Sequence, residues 1–182
     1  MRAEISPGYS KRNQKSYTCV PTCVQMVLDR RNLPFPSQQK IGEYLGLVTP
    51  DSGEKMPAAG WGIRIDKRKF SLTNFFRQSN LPLREELFQP EDLGDFVPYF
   101  IADNLKQGND LMAIFRFGAL YDVNHLYGHA SLVQAINKDK VSLLNPYDRV
   151  QKVYLERLVD SISQHKNGKN MLGGLWVISS DN

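Results

Sequence analysis

Beyond residue 110 this chain stops reading as helices and starts reading as short strands, and that change of texture limits the folds open to it. Leu111 to Phe117, His129 to Ile136, Val141 to Leu144, Val150 to Leu155 and Gly174 to Ser179 are β-leaning runs separated by turn residues. Asn137-Lys-Asp-Lys140 reads as a tight hairpin between the second and third runs. Leu155 to Gln164 inserts a helix among them. The earlier half is different. From Cys19 to about Arg31, Val20, Cys23, Val24, Val27 and Leu28 recur at helical spacing, with Thr18 as N-cap and Pro21 in the first turn. Asn32-Leu-Pro34-Phe-Pro36 stops that helix. Ser37 caps a short helix through Leu45 with Gly46 as its stop, and a further helix covers Ser71 to Gln78. Glu91 to Lys106 is helical with a kink or split expected at Pro98. Helices first and an antiparallel sheet after them predict an α+β fold. The division expected is one domain over 1–182: a polar, irregular arm at 1–16, a mainly helical half at 17–110 and a mainly β half at 111–182.

Composition removes several classes of function. A chain of 182 residues buries roughly 70% of its unfolded surface and needs no disulfide scaffold. Its two cysteines lie four apart on one predicted helix, a spacing that disfavours a mutual bridge. Unpaired thiols point to a reducing, cytoplasmic place of action. No run of about 18 apolar residues is present, and the first residues lack the apolar core of a signal peptide, so no membrane partner is expected. The net charge of +4 includes clusters at Lys11, Arg12 and Lys15 and at Arg64, Lys67, Arg68 and Lys69. Without interleaved aromatic residues these read as solvated surface and not as a nucleic-acid platform, although the charge favours steering of an acidic substrate protein. No ligand spacing of the structural zinc kind occurs, so neither metal nor cofactor is expected.

The chemistry concentrates in a few positions. Cys19 stands where a helix dipole and a nearby imidazolium would lower a thiol pKa, whereas Cys23, one turn further on the apolar stripe, reads as a buried structural thiol. Either cysteine also fits as a small core residue. Of three histidines, His165 lies in a polar loop and reads as solvated surface. His125 falls in a turn and could line a cleft without a role. His129 opens a strand, and Gly128 before it permits close approach of another segment. Asn145 ends the returning strand of the hairpin and can meet His129 as the group that orients its second ring nitrogen, with Asp148 as the alternative. Gln14, or Asn13 beside it, can offer an amide to an oxyanion near the Cys19 backbone N–H. Trp61 and Tyr127 are candidate cleft residues, while Phe115 and Phe117 read as core.

Gln14-x4-Cys19-x-Pro21-x-Cys23 followed by Val-Gln-Met-Val-Leu28 resembles the opening motif of papain-like cysteine peptidases of the bacteriocin-leader-processing (double-glycine) type and their free-standing bacterial relatives. Gly128-His129-Ala130 and then Leu144-Asn145-Pro146 resemble the histidine strand and the Asp-Pro of that group. The resemblance implies a papain-like fold, with a helical half carrying Cys19 and a sheet half carrying His129 and Asn145. It implies Cys19 as nucleophile, His129 as base, Asn145 as orienter and Gln14 as oxyanion donor. The activity implied is a cysteine endopeptidase working on a protein substrate through a thioester. An effector or toxin is the setting implied, delivered by a secretion system and met by an inhibitor or immunity protein. A glutamine deamidase or transglutaminase-like acyltransferase would use the same triad, and an inactive binding module would use the cleft alone. The sequence departs from the family in Val20 for the usual Gly, in Asn145 for the usual Asp, and in a Gln-to-Cys interval one residue short.

Overall fold

The computed structural model describes residues 1–56, 60–65, 68–147, 149–166 and 173–181. Asp148 and Lys67, both singled out in the sequence, lie outside them. The described strands are β1 (Arg2–Glu4), β2 (Leu83–Phe88), β3 (Asp110–Arg116), β4 (Gly128–Asn137), β5 (Lys140–Leu144), β6 (Val150–Tyr154) and β7 (Gly174–Ser180). They form one antiparallel sheet in the order β2-β7-β3-β4-β5-β6, and β1 pairs with β4. Helices α1 (Cys19–Arg30), α2 (Gln38–Tyr44) and α3 (Leu72–Gln78) precede most of the sheet. Then come α4 (Pro90–Leu93), α5 (Val97–Lys106), α6 (Phe117–Tyr121) and α7 (Leu155–Lys166).

The sheet divides the interior into two cores. Met112, Ile114, Ala130, Leu132 and Ile178 face α1, α2 and α3. Leu111, Ala113, Phe115, Val133 and Leu175 face α5 and α7 on the other side. That two-sided burial explains why β3 reads as an unbroken apolar run, since neither face meets water. Helix α1 is more enclosed than its stripe suggests, because every residue from Val20 to Leu28 is buried. Its polar residues are satisfied internally: the Thr22 hydroxyl donates to the Thr18 carbonyl and Gln25 Nε2 donates to the Pro36 carbonyl. At its far end Arg30 meets both carboxylate oxygens of the fully buried Asp110, at 2.6 and 2.8 Å, and Arg31 Nε adds a third contact at 2.6 Å. This bolts the end of α1 to the start of β3.

Helix starts follow the local signals. The Ser37 and Ser71 side chains accept from Lys40 N and Asn74 N, and Gly46 leaves α2 at φ +67°. The expected helix over 91–106 is split, with α5 restarting so that Pro98 falls in its first turn, where a missing N–H costs nothing. Three elements depart from expectation. The arm is not wholly irregular: Arg2–Glu4 pairs with β4, which buries Ala3 and Ile5. Strand β2 lies inside the half read as helical; it is a charged edge strand whose register comes from β7. Phe117, read as the end of a strand, begins α6 instead.

Candidate active site

Cys19 is the first residue of α1 and remains half-buried, while Cys23 is sealed. Thr18 occupies the N-cap position as expected but makes no capping bond from its side chain. Its hydroxyl is directed at the Lys15 carbonyl and Gln38 Oε1. The first-turn amides, which a helix cannot satisfy internally, are left to the site. Burial pushes the Cys19 thiol above its ordinary value, opposed by N–H groups of Ala130, Val20 and Cys19 that face the sulfur. Because Ala130 follows His129 directly, this contact brings the helix mouth and the start of β4 together.

His129 is the second residue of β4 and is 5% exposed. Its ring stands edge-on to Phe115 and Phe117, with centroids 5.8 and 5.3 Å away. Nε2 lies 2.9 Å from Asn145 Oδ1. The orientation of that amide is set independently: Oδ1 also accepts from the Tyr147 N–H at 2.9 Å, and Nδ2 donates to Gln151 Oε1 at 3.2 Å. An amide oxygen only accepts, so Nε2 carries the ring proton and Nδ1 is left as the free base. Burial lowers the His129 pKa to about 4, partly countered by the Asn145 bond. Among the described residues no carboxylate charge acts on the ring, and burial disfavours the charged form of both the thiol and the imidazole.

Both residues line one cleft of about 890 Å³. Gln14 lines it too, held by its backbone N–H on the Pro146 carbonyl at 3.0 Å, and its Oε1 is buried with no hydrogen-bond partner. Asn13, the competing residue, is exposed and does not face the cleft; its carbonyl accepts from Gln38 Nε2. Trp61 and Tyr127 line the walls, and Tyr17, Leu126 and Tyr147 form an exposed apolar rim. Among the described residues no group of three or more His, Cys, Asp and Glu side chains could hold a metal ion.

Several expectations change. Phe115 is core as expected, but Phe117 lines the cleft. His125 is exposed in its turn and outside the cleft. His165 is not solvated surface: α7 runs two residues further than its polar end suggests and buries the ring over Gly128, where a Cβ would come within 2.2 Å of it. Gly128 thus permits the close approach expected of it. The signal for His165 was present, since Leu158, Ile162 and His165 fall at i, i+4 and i+7. Arg64, read as part of a solvated cluster, is 8% exposed and lines the cleft, and nothing local in the sequence announces it.

No protein-family model and no curated protein matches the sequence. Solved structures do match. A C39-like peptidase from Bacillus anthracis superposes with a TM-score of 0.66 at 11% identity, covering 99% of this chain and 98% of that one. The fold is that of the C39 peptidases. A double-glycine-motif protease from an AMS/PCAT transporter, solved with its leader peptide, aligns at TM-score 0.51 and 13% identity over 98% of both chains. Xylellain, a cysteine protease from Xylella fastidiosa, aligns at 0.55 and 11%, over 98% of this chain and 85% of its own. The C39 fold carries the expected papain-like α+β arrangement of helices against an antiparallel sheet.

Proposed function

We propose that this protein is a cysteine endopeptidase that cleaves a protein substrate through a Cys19 thioester. The observation that carries this reading is the His129 Nε2 to Asn145 Oδ1 bond, which leaves Nδ1 as a base in the cleft that also holds the Cys19 sulfur. A substrate carbonyl carbon held over the sulfur would be attacked as Nδ1 takes the thiol proton. The oxyanion would be met by the Cys19 backbone N–H and the Gln14 side-chain amide, and His129 would pass its proton to the departing amine. Water, deprotonated by His129, then hydrolyses the thioester, returning the thiol and releasing a carboxylate. Because burial favours the neutral form of both partners, proton transfer would accompany attack. Apolar walls and an apolar rim suit an extended peptide, the kind of ligand in one structural neighbour, whose protease holds a leader peptide.

The test pairs labelling with trapping. At mild pH iodoacetamide is expected to modify Cys19 about tenfold or more faster than Cys23, whose thiol burial raises well above its ordinary value. A Cys19→Ala variant is expected to retain the substrate uncut. Mass spectrometry of material treated with the wild type should show new peptide termini. A gain of about one dalton at glutamine would identify a deamidase instead, and equal labelling of both cysteines would remove the nucleophile from the proposal. We further place the activity in a reducing cytosol, as an effector or toxin. Expression of wild type but not Cys19→Ala should then impair the target cell.

A further inference from the structure

Of the basic cluster at 64–69, Arg64 is withdrawn from water at only 8% exposed, while Lys69 remains exposed. The withdrawal is built in. The Arg64 N–H donates to the Leu45 carbonyl at 2.6 Å, and Val48 pairs with Gly62 in an isolated antiparallel bridge, so the segment is pinned at Gly62 and at Arg64 itself. The guanidinium folds against the cleft wall, where Nη1 donates to the Ile63 carbonyl at 3.1 Å and Nη2 reaches the Gly60 carbonyl at 3.5 Å. Two of five N–H donors are thereby engaged, and one of those contacts is long.

Among the described residues Arg64 has no carboxylate partner. Nor does any described residue lining the cleft carry an acidic side chain; the walls near Arg64 are Met56, Trp61, Ile63 and Ile65. This contrasts with Arg30 and Arg31, which share the buried Asp110. A guanidinium removed from water without a counter-charge is costly, and two backbone carbonyls offset only part of that cost. Its fork matches a carboxylate in two parallel bonds, and low exposure strengthens such a pair.

We propose that Arg64 forms a carboxylate subsite in the cleft wall, selecting peptide substrates with an acidic residue flanked by apolar ones. This rests on the peptidase reading above. The subsite supplies selectivity, because a neutral isostere brings no carboxylate to the buried arginine.

The experiment compares wild type, Arg64→Gln and Arg64→Lys on peptides that differ only by Glu or Gln at each position in turn, all with amidated C-termini. A parallel arm carries free C-terminal acids, to separate a side-chain carboxylate from a chain terminus. Wild type is expected to prefer Glu at one position, or the free acid in the second arm, by about tenfold in kcat/KM. The preference should shrink at high salt, persist in part in Arg64→Lys and vanish in Arg64→Gln, the readout being the Glu-to-Gln ratio within each variant. No preference in wild type, or parallel loss on both peptides in Arg64→Gln, would overturn the subsite. If no Cys19-dependent cleavage occurs, the peptidase reading fails, and the subsite is scored by alkylation of Cys19. The ratio of iodoacetate to iodoacetamide rates is then expected to fall about threefold in Arg64→Gln, and an unchanged ratio overturns the subsite.

Discussion

The two ends of α1 are built to opposite standards. At Arg30 the helix ends in a sealed cluster where one carboxylate takes three short contacts from two guanidinium groups. At Cys19 the same helix begins with uncapped amides and a half-buried sulfur, close to polar atoms that have no partner, among them Gln14 Oε1 and His165 Nδ1. The satisfied and the unsatisfied end belong to one helix of 12 residues. Unpaired buried polar atoms are a cost to folding, and these two line the cleft, where a ligand can satisfy them. The closed end holds the helix to the sheet, so that the open end keeps its position relative to His129.

Four measurements test that contrast. Asp110→Asn leaves two guanidinium groups without their counter-charge and is expected to cost roughly 3–5 kcal/mol in urea unfolding, with kcat per folded molecule within about threefold. A loss under about 1 kcal/mol would dissolve the distinction between the ends. Gln14→Ala should do the reverse, lowering kcat about 10²-fold with stability nearly unchanged, because it removes the proposed oxyanion donor, whose Oε1 makes no hydrogen bond in the fold.

The third is a stability–pH curve. Burial holds both His129 and His165 at about 4, His165 also by the nearby Arg116 charge, whereas in the unfolded chain they titrate near 6.5. Between those values the unfolded state binds more protons. Stability should therefore be level above about pH 6.5 and fall toward pH 4, by at most about 1.4 kcal/mol per unit for each imidazole. His165→Gln should roughly halve the slope, and an undiminished slope would show that His165 is not held neutral. The smallest effect is expected of Asn145→Asp. A carboxylate on Nε2 favours the imidazolium and should move the acid limb of kcat/KM up by about one pH unit, with the maximum rate within about tenfold. An unmoved limb would argue that His129 is not the base.

Legibility followed the range of the interaction. The Ser37 and Ser71 caps, the Gly46 stop, the restart at Pro98 and the hairpin at 137–140 depend on neighbours in sequence, and each was readable there. Strands β1 and β2 were not, because three residues, or a charged edge, carry too little pattern to reveal a partner far away in the sequence, such as Leu175 for Phe88. Asn145 shows both cases in one residue. Its turn was a local signal, accepting from the Tyr147 N–H, while its bond to His129 needed the returning strand.

Local sequence on its own determined the α+β character, the starts of α1, α2 and α3 and the order in which Gln14, Cys19, His129 and Asn145 occur. Tertiary structure alone decided which charges met water. Arg64 and Lys69 are the same kind of residue in the same cluster, and so are His125 and His165 two ordinary imidazoles by sequence. One of each pair is buried at the cleft and the other exposed. Burial is a property of everything packed around a side chain: the Arg64 segment is held by the Leu45 carbonyl, and His165 packs over Gly128, neither a sequence neighbour.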